Sequence, residues 1–402
     1  MAASERPIVV GGGAAGLAAC LTLESAGHAP ILLESSNRLG GRLHTERMKD
    51  GTAVDRGFQV LLTAYPEFQR WFEPDNLDLL AFVPGAMIRK GGRWRTVADP
   101  RRLPGSLLAT LTSGVGTWRD RFGILRLVGE ACGGSPDTIQ NGLATGSTMD
   151  FLRARGFSEG FIRDFLKPFF SGIFLDADLA PPPAQFLYTL RMFASGAVVR
   201  PRAGIESLVD DLAGRLMKTE VRLNADVVKS SQEFVQLQDG TKVLGPGVIS
   251  SVEQRSDVEW NSVFNAVFAC DNPSFGKPII GLIPDAKCVT NVHFMEDIQG
   301  KEGRGKLNVT ALPTVGADVD VLNMEKRIRA DLDMAGIPTG DLMWHACVPH
   351  ALPKLQSVSF GLESIRNSEG VFQAGDHLVA PSLDAALRSG RLAAEAWLET
   401  IR

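Results

Sequence analysis

The stretch "IVVGGGAAGLAACLTLESAGHAPILLE", residues 8 to 34, constrains this chain more than any other. A β-branched run leads at once into glycines and then into a small-residue helix that Gly27 can end. Gly11, Gly13 and Gly16 take the spacing of the dinucleotide fingerprint. The first glycine permits a tight turn, the second lets backbone approach a pyrophosphate, and the third lets helix and strand pack closely. The helix N-terminus is thereby aimed at the phosphates. The pattern predicts a strand over 7–10, a helix over 14–26 and a second strand over 30–34. Glu34 ends that second strand at about the 20-residue interval expected of the acid that holds a ribose 2′-hydroxyl. A carboxylate there repels a 2′-phosphate, which disfavours NADP.

At 402 residues the chain is long for one core, so two compact bodies are expected. A net charge of −4 supplies no field that would gather nucleic acid, and none is expected as a partner. The five cysteines are odd in number and never spaced as CxxC, and no HxxxH or HExxH occurs. Reduced thiols, no metal site, and a cytoplasmic or other reducing compartment follow as expectations. There is no apolar run long enough to span a bilayer, and a first strand near Pro7 leaves no room for a targeting segment in the chain as given. Residues 103–128 (LPGSLLATLTSGVGTWRDRFGILRLV) mix apolar side chains and arginines. They suit either a half-buried helix pair or a peripheral membrane contact.

Further along, 77–110 predicts short strands and loops, and 117–170 is mainly helical with a polar break at 133–142. An apolar helix follows the prolines of "DLAPPPAQFLYTLRMF", and another covers 204–216. "VRLNADVV", "EFVQLQDG" and "GVISSV" predict strands, with Asp239-Gly240 as a hairpin turn. Residues 260–354 mix strands with a helix near 319–335, and the chain closes on a strand, a loop and a long helix starting near Ser382.

Three more features accompany the fingerprint. "SSNRLGGRLHTE" follows Glu34, where Gly40 and Gly41 permit another close backbone approach and Arg42 brings a fork of donors suited to a diphosphate. "VDRGFQV" places Gly57 and Phe58 where bare backbone can pass a flat ligand. "AGDHLVAPSLDAALRSG" sets Gly375 and Asp376 after a strand and opens a helix whose N-terminal amides can face an anionic ring.

Taken together these segments resemble the FAD-dependent amine oxidases, phytoene desaturases and protoporphyrinogen oxidases. The resemblance rests on 8–42, on "PRAGIESLVDDLAGRL...VRLNADVV" (201–228) and on "GVFQAGDHLVAPSLDAALRSGRLAAE" (370–395), with weaker similarity over 146–174. It implies an α/β chain: a Rossmann-type FAD-binding domain with an inserted α+β substrate domain. The boundaries expected are 1–75, 196–258 and 355–402 for the FAD domain, and 76–195 and 259–354 for the substrate domain. It further implies that Gly11, Gly13, Ala14, Ala15 and Gly16 meet the pyrophosphate through backbone. Glu34 meets the adenosine ribose, with Ser35 beside it, and Arg42 lies by the phosphates or the flavin. Val227 matches a valine whose backbone meets adenine, Asp376 an acid at the ribityl chain or phosphates, and Leu383 to Ala386 the turn facing flavin N1 and O2. One departure is visible: Asp384-Ala385-Ala386 stands where the family often has Asn-Gly-Ala or Glu-Gly-Ala. Non-covalent FAD is expected, since no cysteine lies near 376–390.

With FAD bound, the chemistry expected is hydride transfer, the protein orienting a substrate C–H and excluding water. An amine oxidase would flank the ring with aromatic side chains. The chain has only Tyr65 and Tyr188, Ser382 falls at one cage position, and Trp344 or a phenylalanine would have to stand in. Nine phenylalanines between 151 and 193 suit either plain core or a cavity for a lipophilic substrate. The first expectation is therefore dehydrogenation, desaturation or isomerisation of a small, mostly apolar molecule. The alternatives are an amine oxidase releasing hydrogen peroxide and a non-catalytic FAD-holding partner protein. His345, His350 and Gln59 are the candidates for a catalytic role.

Overall fold

The computed structural model describes residues 5–57, 59–99, 102–134, 146–252, 258–271, 274–314, 319–358 and 365–402. At its centre lies the fingerprint strand Ile8–Val10, paired in parallel with Ile31–Leu33 on one side and Val248–Ser250 on the other. The sheet is completed by Glu220–Arg222 outside Ile31–Leu33, and by Phe372–Gln373 and Ile365–Arg366 outside Val248–Ser250, with only the last pairing antiparallel. Its central strands are buried throughout, which is why they read as unbroken apolar runs rather than as alternations.

One face of this sheet, through Val9, Leu32, Ile249 and Phe372, packs on the helices Ala14–Ser25, Ser207–Gly214 and Leu383–Thr400. The other, through Ile8, Val10, Ile31 and Leu33, packs under a small antiparallel sheet that contains the hairpin anticipated at Asp239-Gly240. The first and last helices cross with their backbones touching. A Cβ on Gly390 would lie 1.9 Å from the Ala15 carbonyl oxygen, so only glycine permits the crossing.

A second sheet of seven strands runs in the order Leu342–Pro353, Trp260–Ala269, Lys306–Ala311, Val289–Phe294, Ile280–Leu282, Gly85–Lys90, Arg93–Ala98. Side chains alternate across it. Phe264, Ala266, Phe268, Leu307, Val309 and Val292 form an apolar core with the helix Val321–Met334 on one face. Asn265, Asn308, Thr310, Asn291 and His293 fall on the opposite face, all buried. That face turns toward the two-stranded hairpin of Thr45–Arg47 and Ala53–Asp55, since Asn265 Nδ2 donates to the Asp55 carbonyl at 3.1 Å, and Gln299, on the short helix Met295–Gln299, donates to the Ala53 carbonyl at 3.1 Å.

Helices Trp118–Cys132, Thr148–Ala154, Glu159–Phe174 taken as one run, and Pro183–Ser195 close the remaining side around a phenylalanine-rich core. Within the third of these, Ile162–Leu166 forms a π-helical turn in which the Lys167 amide donates to the Ile162 carbonyl. Pro168 has no N–H to continue regular pairing, and the widened turn accommodates it. The polar break expected at 133–142 lies, from residue 135 on, outside the described residues.

Candidate functional site

A single cavity of about 1300 Å³ lies between the two sheets and the helical layer. Its wall begins at the fingerprint. Gly11 adopts φ +96°, and its amide donates to the Leu33 carbonyl at 2.8 Å, which fixes the turn. Gly13 is the N-cap of the first helix and no side chain caps it, so the first-turn amides are left for a ligand. Gly40 donates to the Gly12 carbonyl at 2.8 Å and a Cβ on Gly41 would stand 3.4 Å from the Gly13 Cα, so the two glycine loops touch. Glu34 is 8% exposed. Its two oxygens accept from the Gly12 amide at 2.7 Å and the Ser36 amide at 2.8 Å, and Ser35 lies beside it on the wall. Such a cradle of bare amides, closed by glycines where a Cβ would intrude, fits a dinucleotide diphosphate.

From the other end of the chain come Gly375 and Asp376. Gly375, at φ +130°, has room for no Cβ, which would stand 2.4 Å from the His377 ring. Asp376, 2% exposed, pairs with both Arg42 guanidinium nitrogens, one contact being 2.9 Å. Burial opposes the charge on Arg42, and the Asp376 carboxylate more than offsets it, holding that guanidinium above its ordinary range. Arg42 also donates to the Ala351 carbonyl at 3.0 Å and lies over the Trp260 ring. Thus two residues from opposite ends of the chain, both expected beside the phosphates or the parts next to them, meet across 334 positions of sequence.

The wall takes in Gly11, Gly13, Ala14, Ala15, Glu34, Ser35, Gly41, Arg42, Gly57, Gly375, Asp376, Leu383 and Ala386. Other expected residues stand behind it. Gly16 packs under the fingerprint turn, where a Cβ would lie 1.8 Å from the Gly11 carbonyl oxygen. Val227 pairs with Leu237 in the small sheet. Asp384 turns away to accept from the Tyr188 hydroxyl at 2.7 Å and the Glu67 amide at 2.8 Å. Burial raises the Asp384 carboxyl above its ordinary value. The Ala385 amide donates to Ser382 Oγ at 3.1 Å and its side chain is buried. Phe58 lies outside the described residues.

Of the catalytic candidates, His350 and Gln59 are on the wall, with Gln59 Nε2 held by the Arg42 and Arg56 carbonyls. His345 is not. It sits opposite Ala266, on the sheet face away from the cavity, with its ring stacked on Phe264. Trp344 donates to Glu46 at 2.9 Å and stands off the wall too. Tyr65 lies on the wall and stacks at 6.3 Å on Tyr188, which stands behind it.

The far part of the wall is phenylalanine. Phe157, Phe161, Phe165 and Phe169 form a ladder at four-residue spacing, of which the last three reach the cavity with Phe170 and Phe193. Phe151, Phe157, Phe174 and Phe186 lie in the core beneath. Asn291, Thr310 and Thr189, which the sequence reading did not single out, also line the wall. The signal for Asn291 and Thr310 was the period-2 placement of polar residues in "VTNVHF" and "KLNVTA", while Thr189 sits on the helix Pro183–Ser195.

Among the described residues no three His, Cys, Asp or Glu side chains are grouped to hold a metal, and no helix is long and apolar enough to cross a membrane. Comparison with known proteins gives four findings. A 15-cis-phytoene desaturase of Narcissus pseudonarcissus is 37% identical over 105 residues, 25% of this chain and 18% of that protein. An L-amino-acid oxidase of Pseudechis australis is 40% identical over 80 residues, 20% of this chain and 16% of that one. The chain thus matches less than a fifth of the length of either relative. The fold of a CLA-producing fatty acid isomerase from P. acnes superposes with a TM-score of 0.71 at 16% identity, covering 97% of this chain and 98% of that one. The family model of flavin containing amine oxidoreductases matches residues 14–256, more than half of the chain, and agrees with the FAD expected from the sequence. The chain belongs to that family of flavin-containing amine oxidoreductases.

Proposed function

We propose that this protein is an FAD-dependent oxidoreductase that takes a hydride from a mostly apolar molecule, by dehydrogenation or desaturation, or isomerises it. The observation that carries this reading is the continuity of one cavity from the glycine cradle and the Arg42–Asp376 pair to the phenylalanine wall. The flavin, when bound, supplies the hydride acceptor. The chain does the rest. First-turn amides at Gly13 to Ala15 hold the diphosphate, Glu34 holds the ribose, and Arg42 and Asp376 fix the middle of the cofactor. Gly57 offers bare backbone to a flat ring, and the phenylalanines orient an apolar substrate and exclude water. In this assignment 1–75, 196–258 and 355–402 form the FAD body and the remainder the substrate body. An amine substrate finds less support, because Tyr188 stands behind the wall on Asp384 and leaves Tyr65 without a second tyrosine facing it across the cavity.

The mouth of the cavity supports a peripheral bilayer contact. Trp118 is 64% and Phe122 69% exposed, Leu107 and Leu125 are exposed beside them, and all four belong to the cavity wall. Residues 102–128 carry Arg102, Arg119, Arg121 and Arg126 against Asp120, which is buried as a helix cap. Apolar side chains among arginines suit an anionic membrane surface from which a lipophilic substrate can enter.

The test is an absorption spectrum of the purified protein followed by anaerobic bleaching with polyenes and with amines. Flavin bands that bleach with polyenes support the reading. Bleaching by amines alone, with peroxide release in air, replaces it by an amine oxidase. Bands that only dithionite bleaches leave an FAD-holding partner protein.

A further inference from the structure

The phenylalanine wall ends on a polar row. Asn265, Thr310 and Asn291 sit side by side in register on three adjacent strands, Trp260–Ala269, Lys306–Ala311 and Val289–Phe294. Thr310 and Asn291 line the cavity, yet are only 1% and 5% exposed. The hydrogen-bond order within the row has a direction. Asn265 Nδ2 donates to the Asp55 carbonyl at 3.1 Å, which leaves its Oδ1 to accept from the Thr310 hydroxyl at 3.4 Å. The Thr310 proton is thereby spent and its oxygen is left to accept. Asn291 Nδ2 donates to Thr290 Oγ1 at 3.3 Å, while Asn291 Oδ1 is buried with no partner among the described residues. A Cβ on Gly172 would stand 2.9 Å from Asn291 Nδ2, so the phenylalanine helix closes tightly over this row only because that position is glycine.

This end of the cavity therefore offers two acceptors beside the second Asn291 Nδ2 proton, and a buried acceptor without a partner costs about 1–3 kcal/mol. It also lacks charge. The carboxylates on the described wall are Glu34 and Asp376, both at the cofactor end, and Asp99, which follows an edge strand three strands away. Asp55, behind the row, is paired with the buried Arg200 at 3.1 Å. An ammonium would find no counter-charge there, whereas a neutral O–H would be satisfied.

We infer that Asn291 and Thr310 form a hydroxyl-binding subsite. The substrate class is then a long apolar alcohol, seated by its O–H at the polar row, rather than a pure hydrocarbon or an amine. This rests on the reading of the cavity as the substrate site.

The experiment titrates the FAD-loaded protein with three probes of one C20 isoprenoid skeleton: the alcohol, the hydrocarbon and the primary amine. Binding is read from perturbation of the flavin spectrum, independently of turnover. The alcohol is expected to bind roughly tenfold more tightly than the other two. Asn291→Leu is expected to abolish that preference while leaving the hydrocarbon affinity unchanged, and Thr310→Val to reduce it severalfold. Should Asn291→Leu fail to fold, Thr310→Val and the wild-type ranking still decide. Equal binding of alcohol and hydrocarbon, tightest binding of the amine, or equal losses for all probes in the variants overturns the subsite alone. Absence of binding by every probe overturns the substrate cavity and the subsite with it.

Discussion

Two helices present their N-termini at this cavity, and they end differently. The first, Ala14–Ser25, begins on Gly13 with no side-chain cap. The last, Leu383–Thr400, is capped by Ser382 and tied through Asp384 to Tyr188 and to the Glu67 amide. A bare N-terminus leaves its first-turn amides to water or to an anion, and an anion is favoured there by the helix dipole, whereas a capped one is rigid before any ligand arrives. The front helix is thus built for a phosphate. The rear helix is built to stand still, its dipole directed at the cavity from a fixed place.

The largest break in this contrast comes from packing. Gly16→Val forces side-chain atoms into the Gly11 carbonyl, where even a Cβ would lie 1.8 Å away, and is expected to cost about 3 kcal/mol or more and to abolish flavin retention. Thermal unfolding and flavin absorbance after purification check both. Gly13→Asp is sharper because a Cβ there meets nothing within 4 Å and Gly13 has φ −78°. A carboxylate would cap the front helix and repel the diphosphate. The expected result is FAD binding weakened about a hundredfold while the apoprotein gains a few tenths of a kcal/mol. Unchanged FAD affinity would refute the open N-terminus as the phosphate site.

At the junction of the two ends, Arg42→Leu leaves Asp376 buried without its partner. With Arg42 partly solvent-screened, the expected cost is about 1–2 kcal/mol, together with weaker FAD retention read by fluorescence on flavin release. Asp384 gives a pH signature. Burial raises its carboxyl in the folded protein, so the folded state holds that proton more tightly than the unfolded chain does. Raising the pH through and above the ordinary carboxylate range therefore costs stability until the folded group has ionised. Relative to Asp384→Asn, the wild type is expected to lose unfolding midpoint across that window and to run parallel to it at higher pH. Ser382→Ala, the smallest effect, removes the rear cap for about 1 kcal/mol and leaves FAD affinity within a few fold.

The front of the site was legible because its physics is local. A strand, a glycine turn and a helix are consecutive, and a glycine marks each place where backbone must come close. The rear was legible as a helix start, yet the roles of its individual residues were not. The amides of Leu383 to Ala386 were expected to face the flavin, whereas the sequence said nothing of the Asp384 side chain, which accepts from the Tyr188 hydroxyl and the Glu67 amide, or of the Ser382 cap on the Ala385 amide. Those contacts join residues far apart in sequence, and no spacing rule announces them. The phenylalanine run illustrates the same limit. Its phenylalanines suited either core or cavity in the sequence, and the division between the two, with Phe161, Phe165 and Phe169 on the wall and Phe157 and Phe174 beneath, is set by tertiary packing. His345 and His350 differ by strand parity and register, and only the pairing with Trp260–Ala269 puts His345 on the far face. Asn291 and Thr310 read as ordinary strand residues until the sheet set them side by side.

A crystal structure of the flavin-loaded protein tests most directly whether the two ends of the chain grip one cofactor. The account requires the diphosphate against the amides of Gly13 to Ala15, the ring between Gly57 and the N-terminus of Leu383–Thr400, and Arg42 and Asp376 alongside. A ring lying away from Gly375 and Leu383, or a nicotinamide dinucleotide in the front cradle, would contradict it.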